Sequence, residues 1–188
     1  MATCVCTFQA EGNSGVSGAL KLTQSTENGP TSFEGTIRGL TPGQKHGISL
    51  CVYGDLTDGG TSCGPTFNPF GMCEDLLPIF NGGCNSSNPI IAVCPSLVGK
   101  THGAPTDDPS LRMVGDLGNV EADESGVAVV KMEDKMVKLF GPHSVIGRSI
   151  IICAGTDDTG RGGQETSLTT GNAGPRIAYG VIGIAASS

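Results

Sequence analysis

Apolar and polar residues alternate along residues 3–10 and 16–24, where Leu20 and Leu22 stand against Lys21 and Thr23. That period of two is the mark of strands with one buried face, and Glu11-Gly12-Asn13-Ser14-Gly15 between the runs supplies a turn. A third run, Ser32 to Leu40, keeps Phe33, Gly35 and Ile37 in register and stops at Thr41-Pro42-Gly43; His46 to Tyr53 gives a fourth. From Gly54 to about Asn119 the alternation fails and Gly, Pro, Asn and Ser crowd in, which predicts a long loop. Alternation returns at Val120–Ala122 and Val127–Met132, around the turn Asp123–Gly126, then at Arg148–Cys153 and Ile177–Ala185. A second, glycine-rich loop (154–175) precedes that closing strand. The pattern predicts an all-β chain, read as one domain over residues 1–188, with two long loops and a cysteine-containing insertion at about 70–100.

Composition sharpens this reading. Gly 30 and Pro 11 with no Trp suit many turns and short strands. A formal net charge of −7, with no run of Lys or Arg, disfavours nucleic acid and anionic membrane as partners. No stretch approaches the ~18 apolar residues a membrane span needs, and no basic segment followed by an apolar run opens the chain. A cytoplasmic location is therefore expected of the chain as given, and secretion if only a mature chain is shown. The eight cysteines (4, 6, 51, 63, 73, 84, 94 and 153) match no zinc-finger spacing and leave the compartment open. Asn85-Ser86-Ser87 would accept a glycan in a secreted chain.

Several longer motifs fall in one order: Gly39-Leu40-Thr41-Pro42-Gly43, Tyr53-Gly54-Asp55, Gly64-Pro65-Thr66-Phe67-Asn68-Pro69, Val114-Gly115-Asp116-Leu117-Gly118-Asn119, Val145-Ile146-Gly147-Arg148 and Thr170 to Arg176. With the closing Gly180-Val181-Ile182-Gly183-Ile184-Ala185, they resemble the copper/zinc superoxide dismutase family. The resemblance implies an eight-stranded Greek-key β-barrel. It also implies a copper held by four imidazoles and a zinc sharing one of them, and here the chain departs. The positions of the copper histidines read Ser49, Cys51, Thr66 and Cys153. Of the zinc ligands His102 and Asp116 survive as vestiges, and Met113 replaces a third. Arg176 matches the arginine that guides the anionic substrate, Asp157 the carboxylate tying the two metal sites together, and His46 a structural histidine. The family's disulfide positions are Gly60 and Tyr179, so that bridge is lost.

These departures predict a non-catalytic member of the family, a binding or structural protein with no cofactor, whose partner is a second copy of itself or another superoxide dismutase-like protein. Two other readings stay open. Local likeness to the superoxide dismutase-like domain of copper chaperones suggests copper handling through cysteine thiolates, and an altered metal site would leave residual dismutase activity. Because ligands of one metal converge, Cys51 and Cys153 could close a disulfide in a secreted chain or hold Cu(I) in a reducing compartment; the other reading is of two small apolar residues that fill the space left by imidazoles. Cys4-Val5-Cys6, also a Cys-x-Cys pair, is read as two small core residues of the first strand.

Overall fold

The computed structural model describes residues 1–70 and 101–186. The predicted insertion at about 70–100, with Cys73, Cys84, Cys94 and Asn85, lies outside the described residues. Eight antiparallel strands form one nearly closed barrel: β1 (Ala2–Ala10), β2 (Ser17–Gln24), β3 (Thr31–Arg38), β4 (Lys45–Cys51), β5 (Asp116–Glu121), β6 (Val127–Asp134), β7 (Ser149–Cys153) and β8 (Arg176–Ile184). A four-residue helix, α1 (Ser167–Thr170), interrupts the second loop.

The order around the barrel is β5-β4-β7-β8-β1-β2-β3-β6. Neighbours in sequence pair only in part, since β3 hands over to β4 across the barrel and β8 returns to lie between β7 and β1. Cys6 therefore stands opposite both Leu20 of β2 and Ile182 of β8.

Alternation fills the interior as the sequence predicts. Phe33 and Ile37 of β3, Leu20 and Leu22 of β2, Ile48 and Leu50 of β4, and Ile150, Ile152 and Ile182 are fully buried. Burying side chains of this size stabilises by about 1.5–3 kcal/mol each, which is the main force closing the barrel. Cys4 and Cys6 are buried in the same core. Gly35 sits where β2 and β3 approach too closely for a side chain: a Cβ there would stand 2.0 Å from the carbonyl oxygen of Ala19.

Candidate metal-site region

The outward face of β4 and β7 carries the positions at issue. Ser49 pairs with Ile151 across β7 and with Asp116 across β5, Cys51 pairs with Ser149, and an isolated bridge joins Cys51 to Thr66. Cys51, Cys63, Ile151, Cys153 and Ala173 form a small buried cluster, with Leu56 and Tyr179 packed against it. The four positions that hold imidazoles in the resembling family thus hold two thiols and two hydroxyls, and the two thiols are packed in a secondary core.

Both thiols are suppressed as acids. Burial pushes Cys51 up to about 12 and Cys153 up to about 11, and the nearby Arg176 charge offsets only part of this. Both stand as free thiols. Register argues against the expected bridge: Cys51 faces Ser149, so Cys153 lies four residues further along the neighbouring strand. At about 3.3 Å per residue this separates them by roughly 13 Å along the strand. A disulfide needs Cα atoms within roughly 4.4–6.8 Å. The same gap leaves two short thiols too far apart to share one Cu(I). Imidazoles converge from these positions because they are longer; thiols do not.

Arg176, at the start of β8, donates from Nη1 to the carbonyl of Gly60 and from Nη2 to that of Gly64 at 2.6 Å. It pins the loop after β4 while its charge reaches the thiol cluster. A Cβ on Gly60 would touch the Arg176 side chain at 3.2 Å, so this position favours glycine where the family has cysteine. His46 is fully buried, and its Nε2 accepts from the backbone N–H of Thr41 at 3.2 Å. That leaves the proton on Nδ1, which donates to the carbonyl of Cys153 at 3.0 Å. His143 makes an edge-on ring contact with Phe70, centroids 5.0 Å apart.

The second centre is built around His102, which is 3% exposed. Its Nδ1 forms an ion pair with Oδ1 of Asp116 at 2.7 Å, and its Nε2 meets Oδ1 of Asp157 at the same distance. Both carboxylates are fixed from behind. Oδ2 of Asp116 accepts from the backbone N–H groups of Gly103 (3.0 Å) and Met113 (2.8 Å). Asp157 is held at its backbone by Asn119 of β5, which donates to its carbonyl and accepts from its N–H. Burial works against a charged ring here, but hydrogen bonding and charge from Asp116 and Asp157 outweigh it and hold His102 up at about 9.

Sequence reasoning did not single out Arg112. It is buried 2% exposed, paired with Asp134 through Nη2, and donates from Nη1 to the carbonyls of Met113 and Asp116. Asp134 also accepts from the N–H groups of Met136 and Val137. An arginine 22 positions from its partner gives no local pattern to read; only its occurrence just before Met113 could have drawn attention.

No imidazole stands at the four copper positions, so these side chains do not fit a four-imidazole copper. For zinc, two of four expected ligands remain, and a structural zinc is tetrahedral with four. Among the described residues no group of three or more His, Cys, Asp or Glu is placed to hold a metal ion.

Comparison with known proteins returned one family model, copper/zinc superoxide dismutase (SODC), matching residues 16–182. The chain is 44% identical over 174 residues to a protein of Saccharomyces cerevisiae, covering 93% of this chain and 94% of that one. It is 46% identical over 175 residues to one of Talaromyces marneffei, at the same coverage. A protein of Cordyceps militaris is 42% identical over 185 residues, 98% of this chain and 99% of that one. All three are named Superoxide dismutase [Cu-Zn]. These relatives overturn two expectations. Likeness of this depth to dismutases corrects the reading of a non-catalytic protein, and the metals in their name correct the expectation of no cofactor to copper and zinc. The sequence reading went astray by treating ligand positions as decisive against likeness along the whole chain.

Proposed function

The chain belongs to the copper/zinc superoxide dismutase family, and from that premise we propose that it acts on superoxide, as the name of its relatives states. Identity of 42–46% over at least 93% of the chain carries the reading. In the structure, support comes from Arg176: on a chain of net charge −7, its guanidinium places a positive charge beside the Cys51 and Cys153 thiols, at the positions of the family's copper ligands, where an anion is drawn. What these side chains do toward superoxide is attract and orient it. Dismutation also needs a centre that takes and returns one electron, and the residues at 49, 51, 66 and 153 do not supply the imidazoles for a copper of the family kind.

The test is superoxide decay followed by stopped flow after the purified protein has been incubated with copper and zinc. Decay faster than the uncatalysed rate, with a turnover that falls at least tenfold in Arg176→Met and weakens with added salt, is the expected result. Decay no faster than in buffer would overturn the proposal.

The same premise supports a homodimer. Tyr53 (56% exposed) and Ile184 (77% exposed) leave apolar side chains on the surface, and Val52, Tyr53, Gly54, Asp55, Ile146, Gly147 and Arg148 line a hollow. Burial of that surface against a second copy predicts a dimer by light scattering. Among the described residues no helix is long and apolar enough to cross a membrane.

A further inference from the structure

Glu11 follows the last residue of β1, and its backbone N–H donates to the carbonyl of Ile177 at 2.9 Å. Ser14 Oγ donates to the same carbonyl at 2.6 Å, so the turn between β1 and β2 is fastened to the residue next to Arg176. From this base the Glu11 side chain reaches the loop after β4, where Oε2 accepts from the backbone N–H of Gly60 at 2.6 Å. Arg176 holds the same residue from its other end: Nη1 donates to the Gly60 carbonyl, and Nη2 to that of Gly64 at 2.6 Å. Gly60 is thus gripped at both backbone groups by side chains of opposite charge, and bonds with one ionised partner are about twice as strong as neutral ones.

The seat is shaped for these two side chains. A Cβ on Gly59 would stand 2.6 Å from Oε2 of Glu11, and one on Gly60 would stand 3.1 Å from that oxygen and 3.2 Å from Cβ of Arg176. Gly59 also has φ 53°, in the region that favours glycine. Two successive glycines therefore let the acid approach from one side and the arginine from the other. Positions 60 and 179, where the family resemblance places a disulfide, hold no cysteine, and this non-covalent clasp joins the loop to the start of β8 instead.

We propose that Glu11 is a positioning residue for Arg176: by holding the Gly60 N–H it fixes the loop carbonyls that aim the guanidinium, and so sets how that charge meets an arriving anion. Glu11 acts through the Gly60 backbone. That the anion is superoxide rests on the function proposed above; that Glu11 orders Arg176 does not.

The negative charge of Glu11 gives the rival explanation its own signature. Acting only as a charge near Arg176, it would repel anions, and Glu11→Gln and Glu11→Ala would change the protein alike. Acting as an acceptor, it is replaced by Gln, whose amide oxygen still serves the Gly60 N–H, and not by Ala.

The test compares the full native chain with both variants by hydrogen exchange at the Gly60 amide and by phenylglyoxal labelling of Arg176, read by peptide mass spectrometry against the exposed Arg161. Glu11→Ala is expected to speed both by about fivefold, the effect of losing one hydrogen bond of ordinary net strength, while Glu11→Gln matches the native chain. Native-like exchange and labelling in Glu11→Ala would overturn the proposal, and so would equal changes in the two variants. Glu11 is half-buried and outside the core, so Glu11→Ala should melt within about 3 °C of the native chain. A lower melting point with faster exchange throughout the barrel would overturn a role confined to this loop. Neither readout requires dismutation, so both decide the matter even if the metal-treated native chain leaves superoxide decay at the buffer rate. Where that chain does speed decay, Glu11→Ala should slow it and weaken its dependence on salt; an unchanged rate and salt dependence would overturn the link to the anion.

Discussion

A methyl group on Gly171 would stand 1.9 Å from Oδ1 of Asp157, well inside van der Waals contact distance. Gly171 also adopts φ 61°, in the left-handed region that a side chain resists. The turn after α1 thus carries no side chain because the carboxylate that fixes His102 passes directly over it. Gly171→Ala must either tilt the loop or push Asp157 away, and is expected to cost about 2–4 kcal/mol by combining backbone strain with a displaced buried carboxylate. Urea unfolding checks the value, and a loss below about 0.5 kcal/mol would show that the loop yields freely.

Asp134 is the buried partner of Arg112 and at the same time the acceptor for two backbone N–H groups. Asp134→Asn removes the charge opposite a buried guanidinium while keeping the volume, and breaking one side of a buried pair typically costs about 3–5 kcal/mol. Equilibrium denaturation of that variant should fall in this range. A neutral outcome would mean that Arg112 finds water or another acceptor.

His46 satisfies two backbone groups at once, Thr41 N–H and the Cys153 carbonyl, and no solvent reaches it. His46→Leu keeps the bulk and orphans both groups, at about 1–3 kcal/mol for each. The amide proton of Thr41, in the turn before β4, should then lose protection in hydrogen exchange before those of β4 itself; unchanged protection there would contradict the role.

Alkaline pH should weaken the fold through its buried thiols. Burial pushes Cys6 and Cys51 up to about 12 and Cys153 up to about 11, from an ordinary value of 9.0. A pKa raised on folding gives stability that is complete below 9.0 and is lost as pH climbs toward 11–12, because only the unfolded chain ionises there. The urea midpoint is expected to hold from pH 7 to about 8.5 and to fall beyond it, and to fall less steeply in Cys51→Ala. Iodoacetamide at neutral pH should leave these three thiols unmodified until the protein is unfolded; alkylation of native Cys51 would show the cluster to be open.

How much of this could be read from the residues alone differs from element to element. β2 and β3 were legible because one face of each is wet, so Leu20, Leu22, Phe33 and Ile37 alternate with polar residues. β5 was placed too late, at Val120, because Asp116, Leu117 and Gly118 are buried in succession and erase the period of two. α1 has four residues and no side-chain cap, too little to leave a pattern. His102, Asp116 and Asp157 came from the resemblance, but their direct contact at 2.7 Å did not, since it depends on what Thr66 and Met113 fail to provide. Of the readings open for Cys51 and Cys153, the bridge fails because positions that converge for an imidazole diverge for a thiol, and both residues pack in a buried cluster. The non-catalytic reading failed for another reason: it weighed five positions against a likeness that runs along nearly the whole chain.

The junction of β1 with β8, where Cys4 faces Ile184 and Cys6 faces Ile182, makes the first strand wait for the last. While the chain is being synthesised, β1 can pair with β2 at once, but its other edge stays bare until almost every later residue has left the ribosome. An unpaired edge of that kind can recruit a strand from another chain. Val5 and Thr7 face outward along it, and neither carries a charge that would repel such a visitor. Contacts this distant in sequence also slow closure toward the millisecond-to-second range of β-barrels. A version of the chain with residues 2 and 184 covalently joined, and new ends cut at the Asp123–Gly126 turn, would bring that pairing forward and should refold faster at equal stability.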